Sequence, residues 1–294
     1  MEKAVYHLPG LFEFYDFYRK FLPIYREKTE YFYDWCQIGS LYGAPADCLW
    51  AGGRVSTGNA DPRQVLALTE EYGLSARLTF SNSLLCPEHL KDPKCNRLCA
   101  LFGAEPGNGV IVHSELLLAY LKEKYPNFYF VSSTTKVLTD FEDLAAETEC
   151  PDFRYVVPDF RLNKAFDRLA GLKEKRKVEF LCNECCWPGC RERKECYENV
   201  SRKNLGEHCH DHVCAAPEGE KGYRFSAAMK NPAFIGIRDI RETYLPMGFS
   251  QFKIEGRGLG SAMLLEFILY YLTKPEYQLP LREEIYLDSM LDLF

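Results

Sequence analysis

The sequence predicts an α/β fold, a single TIM-like (β/α)8 barrel over residues 1–294 with a cysteine-rich insertion near the C-terminal strand ends. Three observations predict it. The chain has 294 residues and is 47% hydrophobic, enough for one large buried core. Short β-rich runs recur, each followed by a helical pattern, which is the rhythm of a parallel sheet wrapped by helices. A hydrophilic, cysteine-dense stretch, 183–231, interrupts that rhythm late in the chain.

The strands read in order as Ala4–Leu8, Asp47–Ala51, Ala76–Phe80, Gly109–His113, Phe128–Ser132, Arg154–Pro158, Val178–Cys182 and Gln251–Glu255. An open doubly wound sheet would show the same alternation, so the strand count favours closure without requiring it. Between strands, Asp61-Pro62 starts a helix carrying Val65, Leu66 and Leu68 and stopping near Gly73. Ser114 caps a helix from Leu116 to Tyr125 that ends at Pro126. Ala262–Leu272 is apolar but short, and it stops at Lys274-Pro275, so it reads as a core helix rather than a membrane span. The aromatic, glycine-containing stretch Tyr31–Pro45 reads as an extended loop before the second strand.

Charge and termini narrow the functional classes. A formal net charge of −6 gives no overall positive field for nucleic acid, though a local basic patch is compatible with it. The opening residues lack the apolar run of a secretory signal, which gives the expectation of a cytoplasmic protein. A reducing compartment disfavours disulfides, so the thirteen cysteines are expected as buried thiols or metal ligands. Cys36, Cys48, Cys86 and Cys150 suit the first role.

In a barrel the residues just past the strands form one rim, where the chemistry sits. They are Arg54, Ser81, Asn82, His113, Ser114, Ser132, Ser133, Asp159, Asn183, Glu184, Glu255 and Arg257. Serine, asparagine and aspartate are ordinary helix caps there. Arg54, Asn82, Glu255 and Arg257 are harder to explain as caps; Asn82, Glu255 and Arg257 are the candidate catalytic residues, expected to line one pocket, and Lys253 faces either that cavity or the outer helices.

The insertion supplies the candidate cofactor site. Cys186 and Cys190 flank the turn at Pro188-Gly189, and Cys209 and Cys214 return later in the same segment. Thiolates a few residues apart around a turn suit tetrahedral zinc or an iron–sulfur cluster. Cys186, Cys190, Cys209 and Cys214 are the expected ligands, with Cys182, Cys185 and Cys196 as replacements. His208, His210 and His212 would suit zinc.

The run Lys253-Ile254-Glu255-Gly256-Arg257 resembles the signature of the collagenase-like peptidase family of unassigned catalytic type. Arg238-Asp239-Ile240 and the preceding cysteine-rich stretch are similar to that family's arrangement over about the last 120 residues. The resemblance implies an iron–sulfur (4Fe-4S) cofactor and the activities found in the family: peptidases, RNA-modifying hydroxylases and the hydroxylases of ubiquinone synthesis. The sequence departs from the family where His-Gly should precede the first cysteine and where Asn-Arg-Gly should follow, so ligands do not transfer position by position. The expected function is an iron–sulfur hydroxylase-type enzyme acting on a small molecule or RNA, served by an electron donor or partner subunit. Two alternatives are a zinc-stapled binding or assembly protein and a peptidase-like hydrolase. Neither a Gly-x-Ser-x-Gly elbow nor a His-Glu-x-x-His helix is present to support the hydrolase.

Overall fold

The computed structural model describes residues 2–53, 58–217 and 219–291. Its strands are β1 (Ala4–Pro9), β2 (Cys36–Gly43), β3 (Ser75–Phe80), β4 (Gly109–Val112), β5 (Tyr129–Ser132), β6 (Phe153–Val156), β7 (Glu179–Leu181) and β8 (Gln251–Lys253). They form one parallel sheet in the order β6-β5-β4-β3-β2-β1-β8-β7. A parallel bridge between Val156 and Val178 joins the two ends, so the sheet curls into a nearly closed barrel.

One expected strand is corrected. The second strand is β2, inside the segment expected to be a loop, whereas Asp47–Ala51 forms turns beyond it. Its sequence, Cys-Gln-Ile-Gly-Ser-Leu-Tyr-Gly, carries two glycines, which read as loop. The fold explains one of them. Gly39 lies where the β1–β2 register shifts, between the pairs Tyr6–Ile38 and His7–Ser40, and a Cβ there would run into Val5.

Period-two alternation sorts the strand residues into two layers. Tyr6, Leu8, Leu78, Phe80, Val110, Phe130, Phe180 and Phe252 pack outward against the helices. Tyr42, Ile111, Val131, Val157 and Leu181 fill the barrel axis. The surrounding helices include α1 (Tyr15–Glu27), α2 (Pro62–Glu71), α3 (Pro93–Phe102), α4 (Glu115–Lys124), α5 (Phe141–Glu149) and α6 (Phe166–Ala170). Asp61 and Ser114 accept backbone N–H groups at the starts of α2 and α4, as their positions predict. After β7 come α7 (Arg193–Asn204), an irregular stretch, and α8 (Phe225–Ala228); α9 (Ile237–Asp239) precedes β8, and α10 (Ser261–Tyr271) and α11 (Gln278–Leu291) follow it. Among the described residues no helix is long and apolar enough to cross a membrane.

Cys36, Cys48, Cys95 and Cys99 are buried, while Cys86 and Cys150 are half-buried. Cys182 is also buried, within the outer core layer.

Candidate active site at the barrel mouth

The C-terminal mouth of the barrel encloses a cavity of about 310 Å³. Its floor is the axis layer of Tyr42, Ile111 and Leu181, with Lys253 rising between them. Strand alternation places Lys253 there: Phe252 and Ile254 belong to the outer core, so the residue between them faces inward. The Lys253 ammonium lies 3.9 Å from the Tyr42 ring centroid and 3.3 Å from Glu179 Oε1.

Below this floor a polar layer crosses the axis. Arg77 donates to Glu179 at 2.5 Å, and His7 Nε2 lies 3.5 Å from the same carboxylate. The His7 ring also contacts Ser40 Oγ at 2.8 Å and Gln251 Oε1 at 3.0 Å. Burial alone would raise the Glu179 carboxyl, but the Arg77 and Lys253 charges hold it well below the usual carboxylate range. Burial lowers the His7 imidazole to about 3, helped by the Arg77 charge. Burial likewise pushes the Lys253 amine down to about 8, opposed by Glu179.

One wall is a row of hydroxyls. Ser133 donates to Ser81 at 2.9 Å, Thr135 donates to Ser133 at 3.0 Å, and His113 Nδ1 lies 2.8 Å from Thr135 Oγ1. Burial, with the charges of Lys136 and Lys194, lowers His113 to about 4. Thr79 and Thr134 line the same cavity, and their buried hydroxyls have no hydrogen-bond partner among the described residues. Residues 255–259 form the opposite rim.

The insertion forms the roof, through Cys185, Tyr197 and Tyr223. Its docking is polar. Glu184 accepts from the Cys185 and Cys186 amides, both at 3.0 Å, and from Arg193 at 2.5 Å. Arg193 also approaches Asp159, which Arg161 holds at 2.6 Å while donating to the Cys190 carbonyl. Asn183 extends the β7–β8 ladder by one side-chain pair, accepting from the Glu255 amide at 2.7 Å and donating to the Glu255 carbonyl at 3.1 Å.

The predicted catalytic residues divide. Glu255 and Arg257 line the cavity; Asn82 does not. Asn82 is fully buried and donates to the carbonyls of Leu49 and Ser201, so its amide pins α7 to the barrel. Arg257 is bound by Glu13 at 2.7 Å and by the Ala44 carbonyl at 3.2 Å. A side chain at Gly53 would meet its guanidinium at 2.6 Å. Of the other rim residues, Ser81 and Ser133 line the cavity, Ser114 caps α4, and Ser132 bonds Glu147 on the outer side. Arg54 lies outside the described residues. Sequence reasoning missed Tyr42, because β2 was read as loop, and left the direction of Lys253 open. It also missed Glu13, which only the tertiary structure brings to Arg257.

Among the described residues one group of metal-ligand type is assembled: Glu184, Cys185 and Glu255, with ligand atoms within 4.8 Å of one another. Glu184 Oε1 accepts from the Cys185 and Cys186 amides and Oε2 from Arg193, so an ion there would share that carboxylate with three donors. No three sulfurs of Cys186, Cys190, Cys209 and Cys214 form such a group.

No family model and no curated protein matches the chain. Its architecture does have a solved counterpart. The chain is similar in fold to the U32 peptidase Mk0906. The likeness has a TM-score of 0.56 and covers 88% of this chain and 94% of the peptidase, at 13% identity. At that identity the likeness concerns the barrel, not its chemistry.

Proposed function

We propose that this chain is an enzyme of the collagenase-like peptidase class, working at the barrel mouth by redox modification of the hydroxylation type. Its substrate would be a small polar molecule or an exposed group on a larger one, such as an RNA base. The observation that carries the reading is the mouth cavity itself, where Lys253, Glu255 and threonine hydroxyls without a partner among the described residues meet on a barrel similar to a U32 peptidase. The hydroxyl wall would orient the substrate by hydrogen bonds, Lys253 and Glu255 would hold or move protons, and Tyr197 and Tyr223 would limit water.

The same reading assigns a metal centre to Cys186, Cys190, Cys209 and Cys214. Their chemistry fits: none is in a disulfide and none is in the apolar core. The stretch 205–217 that carries the second pair is irregular and mostly exposed, so it has little apolar burial to hold it. A shared centre requires that stretch to close toward Cys186 and Cys190. A bound four-iron cluster would supply one-electron chemistry, with an external donor. Zinc on the same thiolates, with the neighbouring histidines, is the binding-protein alternative. The peptidase activity of the fold neighbour favours a hydrolase as the remaining reading, with the Ser133–Thr135–His113 contacts as its only hydroxyl–histidine chain at the mouth among the described residues.

Anaerobic purification with iron, zinc and acid-labile sulfide analysis tests the assignment. Iron with sulfide is expected, lost in Cys186→Ser, Cys190→Ser, Cys209→Ser and Cys214→Ser and kept in Cys48→Ser. Zinc without sulfide selects the stapled alternative. Protein containing neither metal, or full occupancy in all four variants, overturns the centre.

A further inference from the structure

The polar layer of the barrel axis places two cations on one buried carboxylate. Glu179 is a single carboxylate, fully buried, and Arg77 already takes it at 2.5 Å. Lys253 is a second cation on the same anion, with a side chain 6% exposed. The cavity rim adds one further carboxylate, Glu255. His7 is held neutral beneath the carboxylate, Arg257 adds positive charge at the rim, and Glu13 is spent on Arg257. Of the two cations on Glu179, arginine cannot release its proton in a protein, whereas lysine can.

Position separates Lys253 from the rest of that layer. His7, Arg77 and Glu179 lie beneath the floor of the mouth, but Lys253 lines the mouth cavity. Its amine lies over the Tyr42 ring, and Ile111 and Leu181 complete an apolar collar. Burial and the Arg77 charge favour the uncharged, nucleophilic amine, against Glu179 and the Tyr42 ring face, which favour the ammonium. Two buried hydroxyls without partners among the described residues, on Thr79 and Thr134, line the same space and suit a polar oxygen on a ligand.

We infer that the Lys253 amine is a covalent attachment point for a small aldehyde or ketone at the floor of the mouth. The inference rests on the reading of the mouth as a reaction site and names the chemical class of what enters it. The amine nitrogen bonds to the carbonyl carbon as the C=O π pair moves to oxygen, and proton transfer from nitrogen to oxygen gives the carbinolamine. The hydroxyl, with one more proton, then leaves as water while the nitrogen lone pair closes the C=N bond. No electrons are gained or lost, and water is the only by-product. Thr79 and Thr134 would hydrogen-bond the departing oxygen, and Glu255 on the rim could relay the proton.

The probe is glycolaldehyde with sodium cyanoborohydride, which reduces the imine to a stable hydroxyethyl-lysine, on the intact protein at pH 7.5. Digestion and peptide mass analysis then give the labelling rate at each lysine. An amine titrating at about 8 is about one quarter unprotonated at that pH, against about 0.1% for an ordinary lysine. Labelling at Lys253 is therefore expected at least tenfold faster than at exposed lysines, rising with pH through a midpoint at about 8 toward a plateau about one unit higher. Lys253→Arg should abolish the fast label and retain metal. An inert Lys253, or one that labels no faster than exposed lysines, overturns the inference whatever the metal content. Fast labelling of a protein that lacks metal sustains it and removes only the metal centre.

Discussion

Glu13 and Arg257 form an ion pair whose carboxylate is fully buried and whose guanidinium is 9% exposed. Removing one partner of such a pair leaves a charge out of water with nothing opposite it, which typically costs about 3–5 kcal/mol. Glu13→Gln is therefore expected to lower stability by about 3 kcal/mol, read from the urea midpoint. A combined Glu13→Leu and Arg257→Met replacement should recover much of that loss, since it leaves no orphan charge. Equal losses in the single and double variants would show that the pair matters through shape rather than charge. Arg257→Lys should not rescue function, because lysine cannot reach Glu13 and the Ala44 carbonyl with one planar group. Arg257 was legible as a candidate because it follows a strand in a recognisable signature. Its partner was not, since Glu13 lies 244 positions away and nothing local marks it.

At the level of elements, α7 joins the roof to the barrel. Asn82 donates to the Ser201 carbonyl, Ser201 Oγ accepts from the Ser83 amide at 3.1 Å, and Asn204 donates to the Ala51 carbonyl. Arg193, at the start of the helix, is buried between the Phe160 and Tyr197 rings and bonded to Glu184. Asn82→Ala would leave the Leu49 and Ser201 carbonyls without this donor, at about 1–3 kcal/mol for each buried group left unsatisfied. The expected result is local: faster trypsin cleavage in 191–203, rich in lysine and arginine, with the barrel still folded by circular dichroism. Global unfolding at the same rate as cleavage would show that α7 is not a separable unit. Seven of the eight strand positions were readable from alternation and turn residues. The exception, β2, shows the limit of local reading: Gly39 is required by the bulge against β1, yet glycine in isolation signals a turn.

For the whole molecule, the buried layer of His7, Arg77, Glu179 and Lys253 sets the response to acid. His7 titrates at about 3 in the folded chain and near 6.5 when unfolded. Its folded value is depressed, so the stability linked to it is fully present above pH 6.5. Between 6.5 and 3 the unfolded chain binds a proton that the folded chain refuses, and stability falls as pH drops through that window. Glu179, also held low, adds a further loss below about pH 4.5. Urea midpoints at pH 7, 6, 5 and 4 should decline steadily, and His7→Gln should remove about half of the decline between pH 6.5 and 5, the rest coming from His113, which burial lowers to about 4. Parallel slopes for the two proteins would remove His7 from the account. By itself, the sequence determined the strand–helix alternation of a parallel sheet, the strand end that carries Glu255 and Arg257, and the dense cysteines of the insertion, because alternation, caps and spacing are local properties of a chain, whereas closure of the sheet came only from the tertiary structure. Only the tertiary structure decided that Lys253 enters the mouth, that Asn82 is a peg rather than a wall, and that Glu13 closes on Arg257. Those facts depend on which strand neighbours which and how the sheet curls, and burial in that closed geometry is what gives the charged groups their chemistry.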